Sequence, residues 1–295
     1  MLRQRWMIAL LLSVIFVVSA TGQTPIEGAD LSIPTKISPA YFGPNAFPVP
    51  DMLDGSTSAE CKVELYSDNY FGRVPGCKED FTTDIFFRAT IPLFSPRVNL
   101  VLWGNLLEYY STGPEVNRYR RINTDEHLVG SLTGDIYVST DIMLLTQEKQ
   151  AVDLALRAAL KSASGGAYEH ARYYDNAAYF FDVAVGRKFV FPGEKCSLKL
   201  AASTGFLCWQ TDNGRQNDAV MYGIKAMLQA GRLGASIEYG GYIGWEGDGD
   251  APMTIKANAS WAIGAVDVNV GYQVGLIDWP FHQVRIGATY RFSLR

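Results

Sequence analysis

The chain has 295 residues, of which 48% are hydrophobic and 19% charged, with a net charge of −4. That length holds one large domain or two small ones, and so small a net charge gives no footing for a nucleic-acid partner. Four cysteines, Cys61, Cys77, Cys196 and Cys208, are not spaced as zinc ligands are, and no motif calls for a cofactor.

Residues 1–22, "MLRQRWMIALLLSVIFVVSATG", have three parts. Arg3 and Arg5 make a basic start, Trp6 to Val18 an apolar run, and Ser19, Ala20 and Gly22 a small-residue end. That is the layout of a secretory signal peptide, cleaved near Ala20 to Gly22. The apolar run is shorter than the ~20 residues a spanning helix needs, and no later run reaches that length. Export places the cysteines in an oxidising compartment. Cys196 and Cys208 fall at opposite ends of one predicted strand, about 40 Å apart at ~3.3 Å per residue, so they are not expected to pair. Cys61 with Cys77 is a weaker candidate pair, because they too bracket a predicted strand.

Residues 23–58 do not alternate. Pro25, Pro34, Pro39, Pro44, Pro48 and Pro50 interrupt them, with Tyr41, Phe42 and Phe47 between. Proline removes backbone donors and disrupts pairing. Composition favours a tethered periplasmic tail. The aromatic residues support a second arrangement, a plug, because they give the segment something to bury.

From about Glu60 onward the dominant signal is period two. In "AVDLALRAALKS", Val152, Leu154, Leu156, Ala158 and Leu160 share one face, and Asp153, Arg157 and Lys161 the other. The rule repeats in "GDIYVSTDIMLL", "AVMYGIKAMLQ", "RLGASIEYGGYI", "MTIKANASWAI", "VDVNVGYQVGL" and "HQVRIGATYRFSLR". A soluble β-sandwich alternates with its apolar face inward, a membrane barrel with its apolar face outward. The segments run to about 10–14 residues, near the ~9–11 of a tilted membrane strand and well above the ~5–6 of an ordinary one. Short connections alternate with longer ones, as at the two rims of such a barrel. Aromatic residues gather at segment ends: Tyr109, Tyr110, Tyr179, Trp209, Trp245 and Trp279 toward the long-loop rim, Phe94, Phe189, Trp261 and Phe292 toward the other. The expectation is all-β: a transmembrane, antiparallel, up-and-down barrel of about 12 strands over residues 59–295. It is preceded by a signal peptide (1–22) and a periplasmic lead-in or plug (23–58).

The export signal, the alternation and the terminal strand "VRIGATYRF" resemble bacterial outer-membrane β-barrels. "YFFDVAVGRKF" and "PAYFGPNAFPVPDM" are similar to segments of uncharacterised Bacteroidota barrels, a likeness that implies no activity. The resemblance implies a Gram-negative outer membrane, with lipid, lipopolysaccharide and the barrel-assembly machinery as partners. Many such barrels end on an aromatic residue that the machinery reads; here Ser293, Leu294 and Arg295 follow Phe292.

The polar faces supply candidate lumen residues. Asp141, Asp153, Arg157, Lys161, Asp182, Lys188 and Lys199 come from the earlier strands, and Lys225, Arg232, Glu238, Lys256, Asp267, Arg285 and Arg291 from the later ones. Bases outnumber acids in that set. A porin-like channel or binding barrel for a small, preferentially anionic solute fits it, as does a lumen closed by ion pairs in a surface protein.

An enzyme acting on lipid is the alternative. The phospholipase and lipid A deacylase barrels carry a His-x-Ser pair, whereas His127, His170 and His282 each lack the serine. A substitute group would use Glu169, His170 and Asp175 with Ser164, or with Ser162, near the long-loop rim. Arg118, Arg120 and Arg121 form a basic loop suited to lipopolysaccharide phosphates. The loops "DNGRQND" and "WEGDGDAP" lack the ligand spacing of a calcium loop, so no metal is expected.

Overall fold

The computed structural model describes residues 38–193, 195–211, 216–245, 247 and 249–293. The predicted signal peptide, the first part of the lead-in and most of "DNGRQND" lie outside these residues. The strands are β1 (Cys61–Gly72), β2 (Asp80–Pro92), β3 (Val98–Thr112), β4 (Leu128–Leu132), β5 (Ile136–Leu145), β6 (Asp153–Lys161) and β7 (Ala178–Val190). They continue with β8 (Cys196–Gln210), β9 (Gln216–Ala230), β10 (Leu233–Gly244), β11 (Met253–Ile263), β12 (Val266–Ile277) and β13 (Phe281–Phe292). One short helix, α1 (Pro114–Tyr119), lies between β3 and β4.

Every strand pairs antiparallel with its neighbours, and β1 closes the ring on β13, with Cys61 opposite Phe292 and Gly72 opposite Phe281. Both β4 and β5 pair with β3, Leu132 opposite Glu108 and Ile136 opposite Gly104. They are two halves of one stave, interrupted at residues 133–135, so thirteen strands make a closed barrel of twelve staves. Closure leaves no unpaired edge, the condition for strands to lie in hydrocarbon.

The alternation decides which side is wet. Ile224 is 60% exposed, and Leu65, Ile237, Val270 and Ile286 are likewise among the exposed outward residues. Their strand neighbours Tyr66, Asp68, Glu238 and Arg285 face the lumen, where the cavity lining and ion pairs place them. A soluble sandwich would bury the apolar face, so this belt belongs against lipid. Residues 93–97, 146–152, 191–195, 231–232 and 264–265 turn at one rim. Gly231 and Gly264 there hold positive φ, as tight hairpins require. The opposite rim carries 73–79, 113–127, 162–177 and 245–252, most of them longer than any turn of the first rim, and a brief one at 278–280.

Residues 38–58 run through the lumen from one rim to the other. Ser38 Oγ donates to the Gly249 carbonyl (2.8 Å) at the long-loop rim, and Thr57 Oγ1 to the Pro96 carbonyl (2.6 Å) at the short-turn rim. Lying across the lumen, this segment is termed the plug. Phe42 and Phe47 are buried with Tyr174, Phe180, Trp209 and Tyr242 in an aromatic cluster. Pro39, Pro44, Pro48 and Pro50 have no N–H to satisfy, which eases passage through a lumen.

Small inward residues on β6–β9 leave the groove that the plug fills. Leu53 packs on Ala155 and Ala184, both fully buried. A Cβ on Gly186 would come within 2.3 Å of the Asp54 carbonyl, and one on Gly223 within 2.2 Å of Met52 Sδ.

If the belt faces lipid, Ile224→Lys places a charge near the middle of β9 and costs about 2–4 kcal/mol of stability. Urea-dependent folding into lipid vesicles measures this; an unchanged midpoint would show that Ile224 does not face hydrocarbon.

Candidate functional site

The lumen is built from two zones. In the long-loop half, residues 162–177 fold inward as a strap. Lys161, at the end of β6, holds its base: Nζ pairs with Asp135 at 2.7 Å and donates to the Asn176 carbonyl at 2.7 Å. Asp135 in turn accepts the backbone N–H groups of Ser164 (2.9 Å) and Gly165 (2.7 Å). At the strap's tip, Arg172 is fully buried. Its Nε donates to Glu108 Oε1 and its Nη2 to Thr82 Oγ1, both at 2.7 Å. Asn45 of the plug donates to Asp84 (2.6 Å) and to the other Glu108 oxygen (2.8 Å). The backbone N–H of Gly43 reaches the Ala171 carbonyl (2.7 Å), so plug and strap are fastened together.

In the short-turn half the fastening is ionic. Asp51 accepts from Arg88 Nη2 and from Lys256 Nζ, each at 2.6 Å. Its carbonyl accepts from Arg157 Nη2 (2.9 Å), while Arg157 also grips Asp182 through Nε at 2.7 Å and Nη2 at 3.0 Å. Glu238 pairs with Lys225 at 3.1 Å and accepts the Met52 N–H at 3.1 Å. Lys199 stands 3.4 Å from both Asp54 and Asp153. Beside this lattice, between the plug and the wall, lies a cavity of about 460 Å³. Arg88, Lys225, Lys256 and Arg285 border it, with the rings of Tyr66, Phe86 and Trp103 and the amides of Asn258, Asn269 and Gln273.

Most sequence-predicted lumen residues sit in these networks. Besides those above, Asp141 accepts from Ser139 (2.8 Å), Arg285 holds Asp68 through two 2.6 Å bonds, and Arg291 pairs with Asp267 at 3.1 Å. Two differ. Arg232 lies in the 231–232 turn and is exposed, because β9 and β10 meet there; Lys188 is exposed near the short-turn end of β7.

Other expectations need correction. No described contact joins His170, Asp175 and Ser164 to one another. His170 Nδ1 bonds the Tyr110 hydroxyl at 2.5 Å, Ser164 Oγ bonds Ser162 Oγ at 2.7 Å, and Asp175 is exposed. The group of consequence in that segment is Arg172, drawn inward by a buried carboxylate. Tyr110, Trp209 and Trp279 are buried, the last two packed against the plug or bonded to it rather than placed in an outer belt. Tyr109, Trp245, Phe94 and Trp261 are exposed. Arg120 is buried, with Nη2 2.7 Å from Asp80, so of the basic loop only Arg118 and Arg121 are open to phosphates. Cys61 opens β1 and Cys77 lies beyond its other end, and Cys196 and Cys208 lie toward opposite ends of β8, so neither pair is within disulfide reach.

Sequence reading missed the acids of β1–β3. Glu64, Asp68, Asp84 and Glu108 all point inward, and with Asp51 and Asp54 of the plug they remove the excess of bases. Their signal was period two: Glu64, Tyr66, Asp68 and Tyr70 share a parity, as do Thr82, Asp84, Phe86 and Arg88.

Arg172→Met leaves Glu108 buried without its cation and is expected to destabilise the barrel by about 3–5 kcal/mol. Adding Glu108→Gln recovers part of that loss. Urea titration of the two single variants and the double variant checks this; strictly additive losses would show that the pair is not coupled.

No protein-family model matches the chain, and no curated protein matches it. Among solved structures it is similar to an outer membrane channel from Pseudomonas putida F1, at 11% identity and a TM-score of 0.54, covering 82% of this chain and 100% of that one. Weaker likenesses are to KdgM porin, at 8% identity, 78% and 99% coverage and a TM-score of 0.46, and to the Acinetobacter baumannii outer membrane protein Omp33, at 11% identity, 80% and 100% coverage and a TM-score of 0.40. At these identities the likeness concerns the fold: a closed antiparallel barrel with strands in the membrane.

Proposed function

We propose that this protein is an outer-membrane channel for a small solute, held closed by residues 38–58. The observation that carries the reading is the cavity of about 460 Å³ inside the lumen. Its lining reaches from Ser58 and Lys62 near the short-turn rim to Trp279 and Gln283 toward the other. A barrel serving only as a surface scaffold has no need of an open, charge-lined space along its axis. The similarity to an outer membrane channel from Pseudomonas putida F1 supports the same class. The short turns then face the periplasm and the long loops the exterior. The partners that follow are membrane lipid, lipopolysaccharide at Arg118 and Arg121, and an assembly machinery that reads β13. The strap that carries His170 serves to hold the plug, and no catalytic role is assigned to it.

The reading depends on the plug being what blocks passage. Gly186 faces the Asp54 carbonyl with no room for a side chain, so Gly186→Leu pushes the short-turn half of the plug off the wall. In planar bilayers the native protein is expected to show low conductance and Gly186→Leu a sustained, much larger one. Silence from both, with heat-modifiable gel migration showing both folded, would remove the channel reading.

A further inference from the structure

Asp51 occupies the position that a dissolved carboxylate would take. Its two oxygens are divided between two cations of the wall, Arg88 and Lys256, each at 2.6 Å. The wall's own carboxylates stand further back, Glu64 at 3.7 Å from Arg88 and Glu238 at 3.6 Å from Lys256. The closest contact of each cation therefore goes to the plug. The guanidinium of Arg88 lies over Phe86 and Trp103, 5.3 and 5.9 Å from their ring centroids, which orients it toward the lumen. The Asp51 side chain keeps 34% of its surface open, and Asp51, Arg88 and Lys256 all line the cavity. That cavity falls within the ~300–1,000 Å³ of small-molecule sites.

We infer that Arg88 and Lys256 form a binding site for the carboxylate of a small organic acid, with Asp51 as its tethered occupant. An entering carboxylate and the plug compete for the same two cations. The polar amides Asn258, Asn269 and Gln273 line the same cavity and accommodate the rest of a hydrophilic acid. The inference rests on the channel reading for the route by which a solute arrives, and it adds the substrate class and the means of release. A tethered competitor acts at a millimolar or higher effective concentration, so the native protein binds a free acid weakly and loss of the Asp51 charge exposes the site.

The test is calorimetric titration of the full-length protein in detergent with succinate, with inorganic phosphate, and with succinamide, the uncharged analogue. Asp51→Asn is expected to bind succinate at least tenfold more tightly than the native protein, a ratio of the size that removing a tethered competitor gives. Succinamide is expected to give no binding, and Lys256→Gln in the Asp51→Asn background is expected to abolish succinate binding. Asp51→Ala, which removes the carboxyl altogether, must give the same order of affinities. Equal succinate affinity in native and variant protein, binding of succinamide, or retention of binding without Lys256 overturns the site. Tighter binding of phosphate than of succinate overturns the carboxylate assignment. Bilayer conductance of the same variants separates the two readings. A variant that conducts without binding succinate loses the site and keeps the channel; one that binds without conducting does the reverse.

Discussion

Hydrocarbon offers no partner to a peptide N–H or C=O, and this requirement shapes the rest of the molecule. The seam between β1 and β13 meets it by closing the sheet, so every stave has two neighbours. Closure with twelve staves encloses a lumen wider than wall side chains fill by themselves. Period-two geometry then sends every second residue into that lumen, and apolar residues on the outer face force polar ones onto the inner face. A polar inner face must be hydrated or paired. The plug, the strap and the cavity are three answers to that single demand.

The answers are arranged along the barrel axis. Toward the long loops the lumen is dry: Phe47, Trp209 and Tyr242 pack together, and the Arg172–Glu108 pair is cut off from solvent. A charge in such a place is stable only with its partner, so Arg172 draws the strap inward and fixes where Gly43 and Asn45 pass. Toward the short turns the lumen is ionic and borders open space. Charges are also matched across the lumen: Asp68 and Glu108 of the wall meet Arg285 and Arg172, and Asp51 and Asp54 of the plug meet Arg88, Lys256 and Lys199. That match sets the register of the plug against the wall at several points instead of one.

Much of the outer face was legible in the sequence. Leu156, Ile224, Ile237 and Val270 declare it because lipid accepts little else at those positions. The inner face was legible by parity but not by partner. Trp209 lies ten residues beyond Lys199, an even spacing along one strand, so its inward direction could be read; a belt position for it ignored that parity. Ala155, Ala159, Ala184 and Gly186 form a run of small inward residues that marks space for another chain. What no local pattern holds is the identity of the occupant. Proline content in residues 23–58 suits a free tail and a threaded plug equally, because both lack strand pairing. The inward turn of Arg172 depends on Glu108, 64 positions away, and period two carries no information across a loop.

The plug's two fastenings differ in what can replace them. An aromatic ring seated among Trp209, Tyr242 and Phe180 leaves an apolar hole if it withdraws, and a small polar solute does not fill that hole. The contact of Asp51 with Arg88 and Lys256 is of another kind. A second carboxylate satisfies the same two cations with the same charge, and the displaced Asp51 finds water in the adjoining cavity. Glu64 and Glu238, at 3.7 and 3.6 Å from the two cations, limit the cost to them while the exchange takes place. The Asp51 side chain is thus the contact of the plug that can be exchanged without leaving an apolar hole, while Asn45, Phe47 and Leu53 hold the remainder. Gly55, at a φ of +82°, adds a backbone conformation that most residues avoid. It lies against the Gly186 backbone, just beyond the Leu53 contact. A segment held by packing at Phe47 and Leu53 and by ions at Asp51 offers a solute only the ionic contact to exchange.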